Sequence, residues 1–257
     1  MKNYLLIFSL FISSFNLLAN FDVCENQGEN FGKLNEIDFQ CLSYAKRNAP
    51  DSNYFKGDKV EAFAYNNILF IQYKTAEGIK DYKIAGDKTF LHDIKSIHVT
   101  KDQNTVYVLD QNNILEFDTM TSGNSAPKRL LNIKNKECSQ MTINDQDQEY
   151  FLLCGQKIVY GKIDGDSRYK KLERKPSSIQ QYIFKSQGDR IIKLYKGDLL
   201  VLDKVKRNLS AFNFTEQREA LWQIDLDTQL NGTLQDLSVR EDKIIVTDDL
   251  NKQAVFN

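Results

Sequence analysis

Two histidines, His92 and His98, together with four cysteines set the limits of the chemistry this chain can carry. Ser96 and His98 stand two residues apart in an alternating segment, so on a strand their side chains share a face, with Asp110 as an acid able to orient the ring. A triad needs three groups converging in space, which spacing within one strand does not supply. The expectation is an ordinary strand histidine beside an ordinary serine. Gly165-Asp166-Ser167 places a serine between turn formers, without a strand-to-helix elbow around it. The sequence contains no GxSxG, no glycine-rich phosphate cradle and no HExxH. No catalytic residue and no cofactor is assigned on these grounds.

Three acidic clusters have the residue types for calcium: Asn144 to Glu149, Asp164-Gly165-Asp166 and Asp225-Leu226-Asp227. None has the twelve-residue loop spacing that brings six to eight oxygens together, so each reads as a solvated turn and no metal is expected. A basic stretch, with Arg168, Lys170, Lys171, Arg174 and Lys175, stands out in a chain of net charge -1. It is a candidate contact for an anionic partner. The simpler reading is an exposed outer strand whose cations discourage edge-to-edge pairing.

The four cysteines, Cys24, Cys41, Cys138 and Cys154, are read together with the leader. Lys2, an apolar run from Leu5 to Leu18 and the small residue Ala19 follow the logic of a secretory signal peptide, with cleavage after Ala19. The run is short for an uncleaved anchor and is interrupted by Ser9, Ser13, Ser14 and Asn16, and no second apolar run of spanning length follows. Residues 1-19 are therefore assigned as leader, and the product as exported, to periplasm or medium alike. Export places the thiols in an oxidising compartment, where an even number of cysteines implies disulfides. Three pairings are possible. Cys138 to Ile143 and Tyr150 to Cys154 read as two strands about a polar turn, and folding them around Gln146 sets Cys138 opposite Cys154. Cys24 then pairs with Cys41, inside an N-terminal segment of residues 20-58.

The elements that would position these groups are strands. Short, apolar runs recur at Ile68 to Ile71, Val106 to Leu109, Phe151 to Cys154, Ile191 to Leu194, where Lys193 interrupts, and Ile244 to Val246. Length, β-branched and aromatic content and the flanking Asn, Asp and Gly mark them as strands covered on both faces. The fullest unit runs from Ile94 to Leu131, as a four-stranded meander of about 40 residues, the size of a propeller blade. Ile179 to Asp203 is read as another unit, Val60 to Ala85 as one that keeps the buried strand, and Leu234 to Asn257 as one with three strands. Five units are legible over residues 59-257. Asn208 to Gly232 is open to two readings, a short helix at Thr215 to Trp222 or a sixth, eroded unit with Leu221 to Asp225 as a strand. The rival architecture is a β-sandwich with a long N-terminal extension. With 22 Asn and 3 Pro, the turns are expected to use Asn and Asp in left-handed conformations. The missing fourth strand of the last unit is expected from the segment between Phe21 and Asp58, which pairs there or caps one end.

Val99-Thr100-Lys101-Asp102-Gln103-Asn104-Thr105-Val106-Tyr107-Val108, followed by Ile114-Leu115-Glu116-Phe117-Asp118, resembles the YVTN-type, WD40-like repeat of bacterial β-propellers. The resemblance implies an all-β propeller of four-stranded antiparallel blades. That family includes lactonase-like hydrolases, whose acid, base and metal pattern has no match at positions here. A balanced charge argues against a dedicated nucleic-acid binder. The reading is an exported, non-catalytic binding or scaffold module for a protein or envelope component. A lactonase-like hydrolase and a structural envelope or appendage protein are the alternatives, and the sequence sets no oligomeric state.

Overall fold

The computed structural model describes residues 39-257, apart from positions 77, 80, 81, 88, 112, 121-125, 134-136, 147, 164-179, 186, 215-218 and 241. Its strands form five antiparallel sheets, each a meander of consecutive strands, in a propeller arrangement. Blade one holds β1 (Tyr54–Lys56), β2 (Val60–Tyr65), β3 (Ile68–Thr75) and β5 (Lys83–Gly86), with β4 (Gly78–Ile79) as a short extension on β3. Blade two comprises β6 (Ile94–Val99), β7 (Thr105–Asp110), β8 (Asn113–Asp118) and β9 (Arg129–Asn132). Blade three comprises β10 (Cys138–Asn144), β11 (Glu149–Cys154), β12 (Lys157–Lys162) and β13 (Gln180–Ile183). Blade four comprises β14 (Arg190–Tyr195), β15 (Asp198–Asp203), β16 (Asn208–Phe212) and β17 (Ala220–Asp225). Blade five has three described strands, β18 (Leu234–Arg240), β19 (Lys243–Asp248) and β20 (Gln253–Phe256).

Five sheets with a core between each blade and the next along the chain, from one to five, replace the two facing layers that a sandwich requires. Val60, Ala62 and Leu69 of blade one meet Ile97, Val106 and Val108 of blade two. Tyr107 and Leu109 meet Met141, Ile143 and Leu152. Phe151 and Leu153 meet Ile192 and Val201, and Leu200 and Leu202 meet Leu237, Ile244 and Val246. Because residues alternate along each strand, a run such as Phe151 to Leu153 contributes to two cores at once, which is why it must be apolar throughout. Side-chain amides also latch neighbouring blades. Asn67 donates to the His92 carbonyl and accepts the Ile94 N–H, while Gln140 donates to the Arg190 carbonyl and accepts the Ile192 N–H.

Three expectations are corrected. The apolar runs are not equivalent strands: Ile68 to Ile71 lies on the third strand of its blade and Ile191 to Leu194 on the first, whereas the other three lie on second strands. The unit drawn from Ile179 to Asp203 straddles two blades, since β13 closes blade three and β14 opens blade four. Leu221 to Asp225 lies on β17, the fourth strand of blade four, so the interval from Asn208 to Gly232 supplies no sixth unit. Turn conformations follow the expectation only in part. Asn66 and Asn67 take positive φ in the tight β2–β3 turn, as do Asp242 and Asn251, but so do Gln103, Gln111, Gln148, Lys196 and Arg207.

The last residue of the second strand recurs at about 45-residue intervals, at Tyr65, Asp110, Cys154, Asp203 and Asp248, and in four blades it pins the sheet. In blade three the expected bridge forms, Cys154 to Cys138. In blade four the same place holds a buried ion pair, Arg190 Nη2 to Asp203 Oδ2 at 2.7 Å. In blade two Asp110 accepts the N–H groups of His92 and Asp93. In blade five Asp248 accepts those of Gly232, Leu250 and Lys252, which together hold its carboxyl below the usual range against the opposing effect of burial. A register shift just after the start of the first strand recurs as well, between Ile94 and Ser96, Cys138 and Gln140, and Leu234 and Asp236. In blade three it decides the pairing. Gln140 to Asn144 face Leu153 to Glu149, so without the shift Ser139 would oppose Cys154.

The part of the N-terminal segment that is described, residues 39-58, packs on blade one. Helix α1 (Phe39–Asn48) lays Leu42 and Ala45 on Phe63, Ile68 and Phe70, the face of blade one turned away from blade two. Under it lies Glu61, 5% exposed, which receives hydrogen bonds from the Tyr54 and Tyr82 hydroxyls at 2.5 and 2.6 Å and the Lys46 ammonium at 2.6 Å. Burial alone would raise the Glu61 carboxyl, but these three donors outweigh it and hold the group below its ordinary value. Burial and the Glu61 carboxylate push the Tyr54 hydroxyl up to about 12. Cys41 lies on α1, while Cys24, the proposed Cys24–Cys41 bridge and the leader lie outside the described residues.

Candidate functional site

Blade two's turn Thr100 to Asn104 and blade three's turn Asp145 to Gln148 close the same end of neighbouring sheets, and a groove of about 530 Å³ lies between them. The blade-two turn is locked from within. The Thr100 hydroxyl donates to Asp102 Oδ1 at 2.6 Å, the Asn104 N–H donates to the same oxygen, and these contacts hold the Asp102 carboxyl below the usual range. It is locked from outside too. Gln103, at φ 61°, turns its amide oxygen to the N–H groups of Lys59 and Val60 in blade one, both at 2.9 Å. On the other side Asp145 Oδ2 accepts the Lys101 N–H at 2.7 Å. Three blades therefore fix one turn.

His98 stands on β6 next to Asp145, outside the groove's own lining. It pairs in register with Tyr107 on β7, which pairs with Glu116 on β8, so the three residues form one row across blade two. Tyr107, Glu116, Thr100, Lys101, Asp102 and Asp145 line the groove. His98 Nε2 and Asp145 Oδ1 stand 3.7 Å apart, beyond hydrogen-bond range. Each of these two atoms is shielded from solvent and without a hydrogen-bond partner among the described residues.

Ser96 and His98 do share a face, and both look toward blade three, but they do not act on one another. Ser96 Oγ, buried, accepts the Met141 N–H at 3.3 Å. Asp110 is committed to the His92 and Asp93 amides. The acid beside the His98 ring is Asp145, from the next blade. The acidic clusters behave as turns where they are described. Asn144 Oδ1 accepts the Gln146 N–H, Asp225 Oδ1 accepts the Asp227 N–H, and Asp227 pairs with Arg207. Asp147, Asp164 to Asp166, and the basic residues Arg168, Lys170, Lys171, Arg174 and Lys175 lie outside the described residues. Among the described residues no three His, Cys, Asp or Glu side chains form a group able to hold a metal, and no helix is long and apolar enough to cross a membrane.

The groove itself went unread in the sequence. Its signal was the repeat: Asp145 follows His98 by about one repeat length, and positions one repeat apart come to lie side by side in adjacent blades.

No family model matches the sequence, and neither does any curated protein, so the YVTN-type resemblance rests on the residues from Val99 to Asp118. Among solved structures the chain is similar to the WD40 β-propeller domain of Doa1, with TM-score 0.52 and 9% identity over 80% of this chain and 66% of that one. It is also similar to the periplasmic gluconolactonase PpgL of Pseudomonas aeruginosa, with TM-score 0.51 and 12% identity over 81% and 64%. Kluyveromyces lactis Hsv2 gives TM-score 0.52 and 8% identity over 81% and 60%. The chain spans less than two thirds of the length of these structures. At such identities the likeness is one of fold, and the fold is that of a β-propeller.

Proposed function

We propose that this protein is an exported, non-catalytic propeller that binds a protein or another envelope component through the turns at one end of its blades. The observation that carries this reading is the groove between blades two and three, a polar concavity whose walls are fixed by bonds from three blades. Rigid walls reduce the ordering cost of association. The chemistry nearby favours binding over turnover. Two hydroxyls near the imidazole–carboxylate pair of His98 and Asp145 are already committed, Ser96 as a buried acceptor of the Met141 N–H and Thr100 as a donor to Asp102. Export is supported by the Cys138–Cys154 bridge, a bond that persists in oxidising compartments. The leader at residues 1-19, a Cys24–Cys41 bridge and an anionic-partner contact through Arg168, Lys170, Lys171, Arg174 and Lys175 belong to the same proposal.

The test is capture from envelope extract on immobilised protein, followed by calorimetry with the purified partner, alongside a panel of lactones and esters with and without added divalent metal. A saturable stoichiometric complex and no turnover support the reading. Turnover on the panel would replace it with the lactonase-like alternative, and neither binding nor turnover with the structural one. Reversing Lys170, Lys171, Arg174 and Lys175 to Glu should abolish binding to an acidic partner, and unchanged binding dismisses that contact.

A further inference from the structure

We infer that the outer edge of β20 in blade five is a docking slot for an extended segment of a partner polypeptide, which adds to it as a fourth, antiparallel strand. This surface is separate from the groove of blades two and three and goes beyond the reading of that groove. The repeat itself shows what is missing. Three residues before the end of the second strand, each blade carries a row that crosses to the third strand: Ala62 to Ile71, Tyr107 to Glu116, Phe151 to Tyr160, Leu200 to Ala211 and Ile245 to Val255. In blades one to four the row runs on to a fourth-strand residue, Lys83, Arg129, Gln180 and Trp222 in turn. The third-strand residues there are 0, 8, 8 and 0% exposed, whereas Val255 is 51% exposed. Among the described residues no strand continues the row beyond Val255.

The edge also has the backbone groups and the composition for pairing. The Asp248 N–H donates to the Lys252 carbonyl, so the alternation of an antiparallel ladder turns Ala254 and Phe256 toward β19 and the N–H and C=O groups of Gln253 and Val255 outward. Native sheets commonly guard a free edge with charge or proline, yet Gln253-Ala254-Val255-Phe256 carries neither. The register fixes the chemistry of the occupant. It is extended, so that its main chain meets the outward groups of β20, and it sets a long residue type opposite Val255, as Lys, Arg, Gln and Trp stand in the other four rows. The described chain that leads into the ring is already spent on blade one, where Leu42 and Ala45 of α1 lie on Phe63, Ile68 and Phe70. A shared edge of four residues buries far less than the roughly 1,200 Å² at the low end of stable interfaces, which counts against a second rigid copy and for a flexible segment.

The experiment uses the full chain and reads backbone amides by NMR and hydrogen exchange. The probe is a capped peptide with the sequence of β17, Ala220 to Asp225, whose tryptophan fills the corresponding row of blade four. It should protect the Gln253 and Val255 N–H groups saturably, by about ten-fold or more, and leave Val201 of β15 unchanged. The same peptide N-methylated along the edge that faces β20 should protect neither, and this arm leaves the protein itself untouched. Val255→Pro removes one outward donor at an edge, where proline is tolerated, and should weaken the peptide about ten-fold. The inference is overturned if the peptide gives no protection up to millimolar concentration, or if the N-methylated form protects equally. It is overturned as well if both amides are protected at every concentration of the protein alone, which means that the chain fills its own slot, or only as a dimer forms, which means that a second copy does. Partners captured from envelope extract that all bind Val255→Pro as tightly as the parent would overturn this inference while leaving the binding-module reading intact.

Discussion

The buried ion pair of blade four gives the sharpest energetic test of how the sheets are pinned. Arg190 and Asp203 have side chains 1% and 6% exposed. The guanidinium also donates to Gln156 Oε1 at 2.8 Å and the Gly188 carbonyl at 3.3 Å, and lies 4.1 Å from the centroid of the Phe184 ring. Asp203→Ala removes the counter-charge and leaves a desolvated cation, an event that costs about 3–5 kcal/mol. The neutral acceptors and the ring remain, which places the expectation at the lower half of that interval. For a chain of this size each kcal/mol moves the melting temperature by about 2–4 °C, so the variant should melt roughly 6–16 °C below the parent. The double substitution Arg190→Met with Asp203→Leu removes both charges together and should lie near the parent, or above it by up to about 4 kcal/mol. Gly188 reports the same packing, because a Cβ there would sit 3.0 Å from Asp203 Oδ1 and 3.1 Å from Arg190 Nη2. Gly188→Ala therefore requires the pair to give by a few tenths of an ångström. Urea titration and thermal melts of Arg190→Met, Asp203→Leu and the double complete a thermodynamic cycle. If Asp203→Ala costs under about 1 kcal/mol, or the double is as damaged as the worse single, the pair is not what holds β14 to β15 and the reasoning is wrong.

Reducing the Cys138–Cys154 bridge, or replacing both cysteines by serine, should cost about 3 kcal/mol, because it frees a closed loop of 16 residues; melts with and without reductant, with alkylation and mass measurement, check both the bond and its worth. Tyr150 is fully buried with a hydroxyl that has no partner among the described residues, and burial pushes that hydroxyl up to about 12. Tyr150→Phe should then stabilise the fold by about 1 kcal/mol, and a loss in urea titration would mean that the hydroxyl is satisfied. The Glu61 carboxyl is lowered in the folded state, so its contribution is complete above the ordinary value of 4.5 and falls away as pH drops through the folded value. Glu61→Gln should flatten the acid limb of a plot of stability against pH, and an unchanged limb contradicts the network. Tyr54 is raised, so its contribution is complete below pH 10 and is lost as pH rises toward about 12. Leu42→Asp should lift α1 from blade one at about 3 kcal/mol, exposing β2 and β3 amides to hydrogen exchange before those of β15, and uniform exchange would contradict this.

The sequence disclosed this architecture to the depth at which its signals are local. Cys138 and Cys154 were placed opposite one another because both lie on a single hairpin, although the register shift that makes the pairing work left no mark of its own. The apolar runs announced strands without saying which. Second and third strands of a blade are both covered on both faces, so Ile68 to Ile71 could not be told from Val106 to Leu109 by composition, while Ile191 to Leu194, on a first strand, carries the exposed Lys193. The blade boundaries slipped by a strand in consequence. Helix α1 was unread because ten residues with Leu42 and Ala45 as the apolar contacts give little periodicity, though Lys46 and Arg47 in the last turn and Pro50 beyond it are ordinary stop signals. The His98 partner was sought within one unit and found in the next.

The positions of the pins and of the groove bear on one another. Disulfide, ion pair and both aspartate clamps sit at the last residue of the second strand, whereas the groove lies beside the turns that precede that strand. Between the two runs a strand of 6 residues, β7 in blade two and β11 in blade three, or about 20 Å of ladder. One end of the sheets of blades two to five is thus held by covalent, ionic or multiply bonded contacts whose loss is costly. The other end is held by side-chain latches such as Gln103 on Lys59 and Asp145 on Lys101, each a hydrogen bond worth about 1 kcal/mol. A change in the turns beside Asp145 meets only these weaker contacts, which a fully paired ladder separates from the pins. The costly contacts and the groove are in this way placed at opposite ends of the same strands, so that residues of the turns can change without loosening the blades.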